Sequence, residues 1–223
     1  MIGFRPFHIS SHLEYISTMQ RIRKIYFASG NAHKRDEMQR LILDGVQVVL
    51  PKDEGIAFDP VEDGQSFIEN ALIKARCLYD IVKAPVLADD SGLVVDALDG
   101  RPGIHTARYG CSECHVLTSQ EQYTLLLKEM EGIEDRRARF VSACVLMLSG
   151  DRIYIVQETV EGSIALSPMG VHGFGYDPVF LVEDTGLTAS QLSDEEKDRH
   201  SHRGRAMRRI DALLQREMYD EAL

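Results

Sequence analysis

Apolar positions along this chain change their period several times, and each change marks an element boundary. Lys24 to Ala28 is a short apolar run that Ser29-Gly30-Asn31 breaks, after which Met38, Leu41 and Ile42 recur at helical spacing. This pattern predicts strand, loop and helix. A second strand is expected over 46–50, followed by an acidic, glycine-bearing loop from Asp53 to Gly64. Ser66-Phe67-Ile68-Glu69 has the form of a capping box, and Phe67, Ala71, Ala75 and Leu78 follow at helical spacing. Pro85 to Ala88 reads as a strand that stops in a turn at Asp89-Asp90-Ser91-Gly92, with Leu93 to Ala97 extended beyond it.

A further helix opens at 119–122. Phe140 to Leu148 and Ile153 to Val160 are β-rich runs joined at Gly150-Asp151, a two-residue hairpin turn, and the first is apolar on both faces as a central strand would be. Ser193-Asp194-Glu195-Glu196 is a second capping box, and Arg205 to Met218 an amphipathic last helix. Strands alternating with helices, then a long hairpin, predict an α/β fold with a mixed β-sheet flanked by helices. Residues 1–22 carry no period, so they read as an N-terminal extension, poorly ordered, before a domain over 23–223; Met19 is an alternative start.

Composition narrows the function. The chain has 223 residues, 44% of them hydrophobic, and no apolar run long enough to cross a bilayer. The net charge of -10 excludes a protein that coats nucleic acid, since such proteins neutralise phosphates with Lys and Arg. A small phosphorylated ligand stays open, provided a locally positive pocket or a bridging cation receives it. The four cysteines make no secreted disulfide pattern, which points to a reducing compartment and hence the cytoplasm; Cys111-Ser-Glu-Cys114 lacks a second pair and reads as two loop thiols.

Four segments carry candidate chemistry. Ser29-Gly30-Asn31-Ala32-His33-Lys34 joins a strand to a helix, where backbone N–H groups and Lys34 can hold phosphate; Asn31 as a plain helix cap is the other reading. Asp89 and Asp90 point to opposite faces of a strand, so one of them suffices to hold a divalent cation or accept a proton from water. Glu62 or Asp63 can complete such a site, and Lys74 and Glu69 are expected to face the same cleft. Gly173-Phe174-Gly175-Tyr176-Asp177-Pro178 presents rings from a tight loop, suited to stacking on a nucleobase, with Asp177 reading its edge or fixing a basic neighbour. Lys197 with His200-Ser201-His202-Arg203-Gly204 is a donor cluster; a zinc reading of His200 and His202 lacks a third ligand.

With Phe67-Ile68-Glu69-Asn70-Ala71 and Pro102-Gly103-Ile104 added, these motifs run in the order found in the inosine triphosphate pyrophosphatase family, which the chain resembles from about Lys24 to about Leu214. Bacterial members hydrolyse dITP, ITP and XTP to the monophosphate and pyrophosphate. The resemblance implies an elongated fold of two lobes with a central cleft, usually a homodimer, and Mg²⁺ as cofactor. It implies Asp90 as general base and metal ligand, Glu62 as the other metal carboxylate, and Ser91 as a substrate contact. The loop from Ser29 through Gly30, Asn31, Ala32 and His33 to Lys34 would hold the triphosphate. Phe174, Gly175, Tyr176 and Asp177 would meet the base, with Lys197, His202 and Arg203 completing the pocket. His172 departs from the family pattern, where a smaller residue is usual, and is expected at the mouth of the base pocket.

Overall fold

A computed structural model describes residues 22–112 and 115–219. The expectation for residues 1–22 therefore falls almost entirely outside the described residues, as does Cys114. Among the described residues, six strands form one sheet in the order β2-β1-β3-β4-β5-β6. They are β1 (Lys24–Phe27), β2 (Gln47–Val49), β3 (Val86–Val95), β4 (Arg137–Met147), β5 (Ile153–Ile164) and β6 (Phe180–Val182). The β2-β1-β3 part is parallel and the β3-β4-β5-β6 part antiparallel, the mixed sheet that the alternating pattern predicts. The helices are α1 (Ala32–Leu41), α2 (Phe67–Val82), α3 (Ser119–Glu129), α4 (Asp194–His200) and α5 (His202–Tyr219).

Alternation along β1 distributes the core. Ile25 and Phe27 join Met38 of α1 and Ile210 and Leu214 of α5 on one face, while Tyr26 and Ala28 join Ala71, Ala75 and Leu78 of α2 on the other. A third apolar cluster lies at the far end of the long strands, where Leu93, Val95, Phe140, Val160 and Ile164 pack with Leu126 of α3, Tyr176 and Phe180. These clusters are the two lobes, and β3 and β4 run through both.

One expectation is corrected here. The turn placed at Asp89-Asp90-Ser91-Gly92 does not exist: β3 passes straight through these residues, each paired with β4 from Asp89↔Cys144 to Gly92↔Val141. What does end is the partner on the other side. β1 pairs with β3 only at Tyr26↔Val86 and Phe27↔Leu87, so beyond Leu87 that edge of β3 faces a loop and not a strand. The polar run marks the point where the parallel part of the sheet stops, which is where ligands collect in α/β sheets. Gly92 permits this crossing: a Cβ there would lie 2.5 Å from the Gly103 carbonyl oxygen and 2.4 Å from Thr106 Oγ1.

Candidate active site

The end of β1 builds the first wall. Asn31 caps α1, its Oδ1 accepting the Lys34 N–H at 3.2 Å, while Ser29 Oγ accepts the Asn31 N–H at 3.1 Å. Lys34, in the first turn of α1, places its ammonium 2.8 Å from Asp89. Asp89 is fully buried and takes further bonds from Ser142 Oγ (2.7 Å) and Ser91 Oγ (2.9 Å). Burial pushes its carboxyl up, but Lys34 and Arg203 outweigh that and hold it well below the ordinary carboxylate range.

The pleat sends Asp90 to the opposite face. There Lys74 of α2 donates to Asp90 Oδ1 at 2.7 Å and meets Glu62 at 3.1 Å, so two carboxylates converge on one cation. Asn70, one helical turn before Lys74, accepts the Gly64 N–H at 2.9 Å and donates to Asp90 Oδ2 at 3.4 Å, tying the Glu62 loop to β3. Burial pushes the Asp90 carboxyl up against the pull of Lys74. Lys74 stays charged, because Asp90 and Glu62 outweigh the effect of its own burial. Asp63 is exposed, and Glu69 turns back to accept the Gln65 N–H at 2.6 Å; neither lines the site.

Two cavities adjoin across β3. One, of about 360 Å³, is lined by Ser29, Gly30, Asn31, Lys34, Glu62, Lys74, Asp89, Asp90 and Ser91. The other, of about 220 Å³, is lined by Phe140, Phe174, Gly175, Tyr176, Asp177, Lys197, His202 and Arg203. Asn31, Lys34, Ser91 and Ala107 belong to both. Of the expected phosphate loop, Ala32 packs into the core and His33 stacks on Phe174, ring centroids 5.6 Å apart and 18° from parallel; neither lines a cavity. Ala32 is turned inward by its place as the first residue of α1, and His33 follows the helix outward toward the Phe174 loop.

The donors lining the second cavity are held by carboxylates. Asp177 is buried and lines the cavity, its Oδ2 accepting the Phe174 N–H at 2.8 Å and Lys197 Nζ at 2.7 Å, so it fixes a basic neighbour. Lys197 also meets Glu37 of α1 at 2.8 Å and lies 4.8 Å from the Phe174 ring centroid. Arg203, at the start of α5, is 2% exposed and binds Glu37, with Nη2 reaching Ser91 Oγ at 2.9 Å and Asp89 at 3.5 Å. Its Nε is sealed and without a partner among the described residues. Burial raises the Glu37 carboxyl, yet Arg203 and Lys197 overcome it and set it at about 2.

His202 stacks on Phe140 at 4.8 Å and 15°. Burial, aided by Arg203, drives its basicity far down, so it is a neutral ring in the wall and not a cation. His200 sits instead on the outer side, 3.8 Å from Asp184, and no group of three or more His, Cys, Asp or Glu among the described residues is placed to hold a metal, which removes the zinc reading. His172 is exposed, its backbone is hydrogen-bonded to Ser190, and it is not among the residues lining the second cavity. Cys111 Sγ accepts the Leu117 N–H, an ordinary loop contact.

The sequence reading missed Glu37, although it lies three residues after Lys34 on one face of α1. It carries Asn70 inside the motif from Phe67 to Ala71 without a role, although its place one turn before Lys74 carries the same signal. Thr106, Gln122 and Phe140 line the second cavity with no local motif that marks them.

The Ham1 family model matches residues 25–213, which spans all of this geometry. The chain belongs to the Ham1 family. It is 53% identical over 191 residues to the dITP/XTP pyrophosphatase of Treponema denticola, covering 86% of this chain and 98% of that one. Among solved structures, the Ham1 protein of Staphylococcus aureus is 34% identical with a TM-score of 0.77, covering 87% of this chain and 99% of that one. A Ham1 protein of Coxiella burnetii is 36% identical with a TM-score of 0.77, covering 86% and 98%. The resemblance drawn from the ordered motifs and the family membership agree.

Proposed function

We propose that the chain hydrolyses the deaminated purine nucleoside triphosphates ITP, dITP and XTP to the monophosphate and pyrophosphate. The observation that carries this reading is the pair of adjoining cavities with Lys34 and Ser91 at their junction, one walled by rings and the other by Glu62, Lys74 and Asp90. A nucleoside suits the first and a triphosphate the second. The name of the Treponema denticola relative supports the substrate class.

The donor set fits Mg²⁺. Glu62 and Asp90 already converge on the Lys74 ammonium, and magnesium commonly takes one or two protein carboxylates, leaving the rest to water and phosphate. Bound at Glu62 and Asp90, it would neutralise phosphate charge. Asp90 accepts the proton of the attacking water as its oxygen bonds to the α-phosphorus and the bond to the pyrophosphate oxygen breaks. Lys74 and Asn70 aim Asp90, and Lys34 brings positive charge to an acidic protein where the polyanion enters. Phe174 stacks on the base. Arg203 lines that cavity, and its guanidinium, held by Glu37 and Ser91, is matched by an oxo group at C6 and mismatched by the amino group of adenine.

A homodimer in the cytoplasm completes the reading. Cys77, Cys111 and Cys144 are free thiols, as a reducing compartment favours, and no helix among the described residues is long and apolar enough to cross a membrane. The test is pyrophosphate release from ITP, XTP, dITP, ATP and GTP with and without Mg²⁺. Release from the deaminated nucleotides alone, and only with the metal, is expected; equal release from ATP would overturn the substrate class.

A further inference from the structure

Gln122 of α3 is buried in the wall of the second cavity, and no step of the reaction described above uses it. Its Nε2 donates to the carbonyl oxygens of Ala107 at 3.0 Å and Tyr109 at 3.4 Å. Carbonyl oxygens only accept, so the amide cannot be turned the other way, and its N–H groups are spent on the 107–109 backbone, with Cys111 Sγ a further acceptor at 3.9 Å. Among the described residues no donor reaches Oε1. It is not sealed either: among the described residues, the side-chain atoms that are both sealed and unpaired are Arg203 Nε and Asp211 Oδ1. A buried, rigidly held acceptor that opens into a ligand cavity calls for a donor from the ligand.

Position narrows which donor. Ala107, which takes the Gln122 amide, lines both cavities, so Gln122 stands beside the junction between the ring-walled space and the phosphate space. In any nucleotide the sugar lies between base and phosphates. We propose that Gln122 Oε1 accepts the hydrogen bond of a ribose hydroxyl, and so sets sugar recognition in the Ham1 reaction. The curated relative is named for a deoxynucleotide and a ribonucleotide together, and the hydroxyl common to both is the 3′-OH. The assignment is therefore to the 3′-OH. It rests on the nucleotide reading given above.

The test pairs a deletion on the substrate with one on the protein. Steady-state kcat/KM is measured for ITP, its 2′-deoxy form and its 3′-deoxy form, with the full chain and with Gln122→Met. In the unaltered chain the 3′-deoxy analogue should lose about three- to tenfold, the scale of one net hydrogen bond, while the 2′-deoxy form matches ITP. In Gln122→Met, ITP should fall and the 3′-deoxy penalty should vanish, because the acceptor is gone. A 3′-deoxy penalty that persists undiminished in the variant, or one absent from the unaltered chain, overturns the assignment. So does a penalty that falls on the 2′-deoxy form. The absence of a 3′-deoxy penalty in the unaltered chain overturns the assignment even where Gln122→Met does not fold. No hydrolysis of ITP by the unaltered chain would instead overturn the nucleotide reading, and this assignment with it.

Discussion

Asp89 and Asp90 are neighbours with opposite surroundings, and the pleat of β3 is the cause. Asp89 is closed in by Lys34, Arg203 and two serine hydroxyls, so it is a fixed anion that organises cations. Asp90 is aimed into the phosphate cavity by Lys74 and Asn70. Asp90→Asn should keep the fold and nucleotide binding while lowering turnover by about 10² to 10⁴, since an amide cannot take the proton. Near-normal turnover would remove Asp90 from the chemistry. Arg203 has two roles that separate on measurement. Arg203→Ala leaves Glu37 with Lys197 and Asp89 with Lys34 as their remaining cations, and should lower the unfolding free energy. Below its unfolding midpoint it should also lower kcat/KM for ITP and XTP more than for ATP. An equal factor for every nucleotide would make Arg203 a scaffold residue without a part in base choice.

At the scale of elements, Glu37 holds α1 against Lys197 of α4 and Arg203 of α5, across the back of the base pocket. Its folded value of about 2 lies below its ordinary 4.5. The ionised pair therefore contributes stability that is complete above about pH 4.5 and lost as pH falls through about 2, a span worth about 3 kcal/mol. Unfolding of the chain and of Glu37→Gln, compared by denaturant titration from about pH 7 to about pH 2, should show an advantage of Glu37 that shrinks on acidification. An advantage that does not change with pH would contradict the pairing. These contacts explain what the sequence could and could not reveal. Helix periodicity located α1, α2 and α5, because local spacing alone decides which face is apolar. The run Asp89-Asp90-Ser91-Gly92 read as a turn, because its polarity is neutralised by Lys34, Lys74 and Arg203, all distant in sequence. The base pocket donors were legible as a cluster, but Glu37, which holds them, lies more than a hundred residues away on another element.

The whole molecule is two apolar lobes threaded by β3 and β4, with the cavities where β1 stops and β3 continues. β1 begins at Lys24, and its faces are covered by α1, α2 and α5. A chain starting at Met19 should match the full chain in unfolding midpoint and in turnover. A fall in either would make the preceding residues part of the working structure. The site between the lobes makes one demand on chemistry: Asp90 and Glu62 line the phosphate cavity, and Asp90 is the chain neighbour of Ser91, which both cavities share, so the reaction proposed above has its attack at the α-phosphorus. Phosphorus-31 spectra of ITP turned over by the full chain with Mg²⁺ test this most directly. The account predicts IMP and pyrophosphate as the first products. IDP with inorganic phosphate would place the attack at the γ-phosphorus and contradict it.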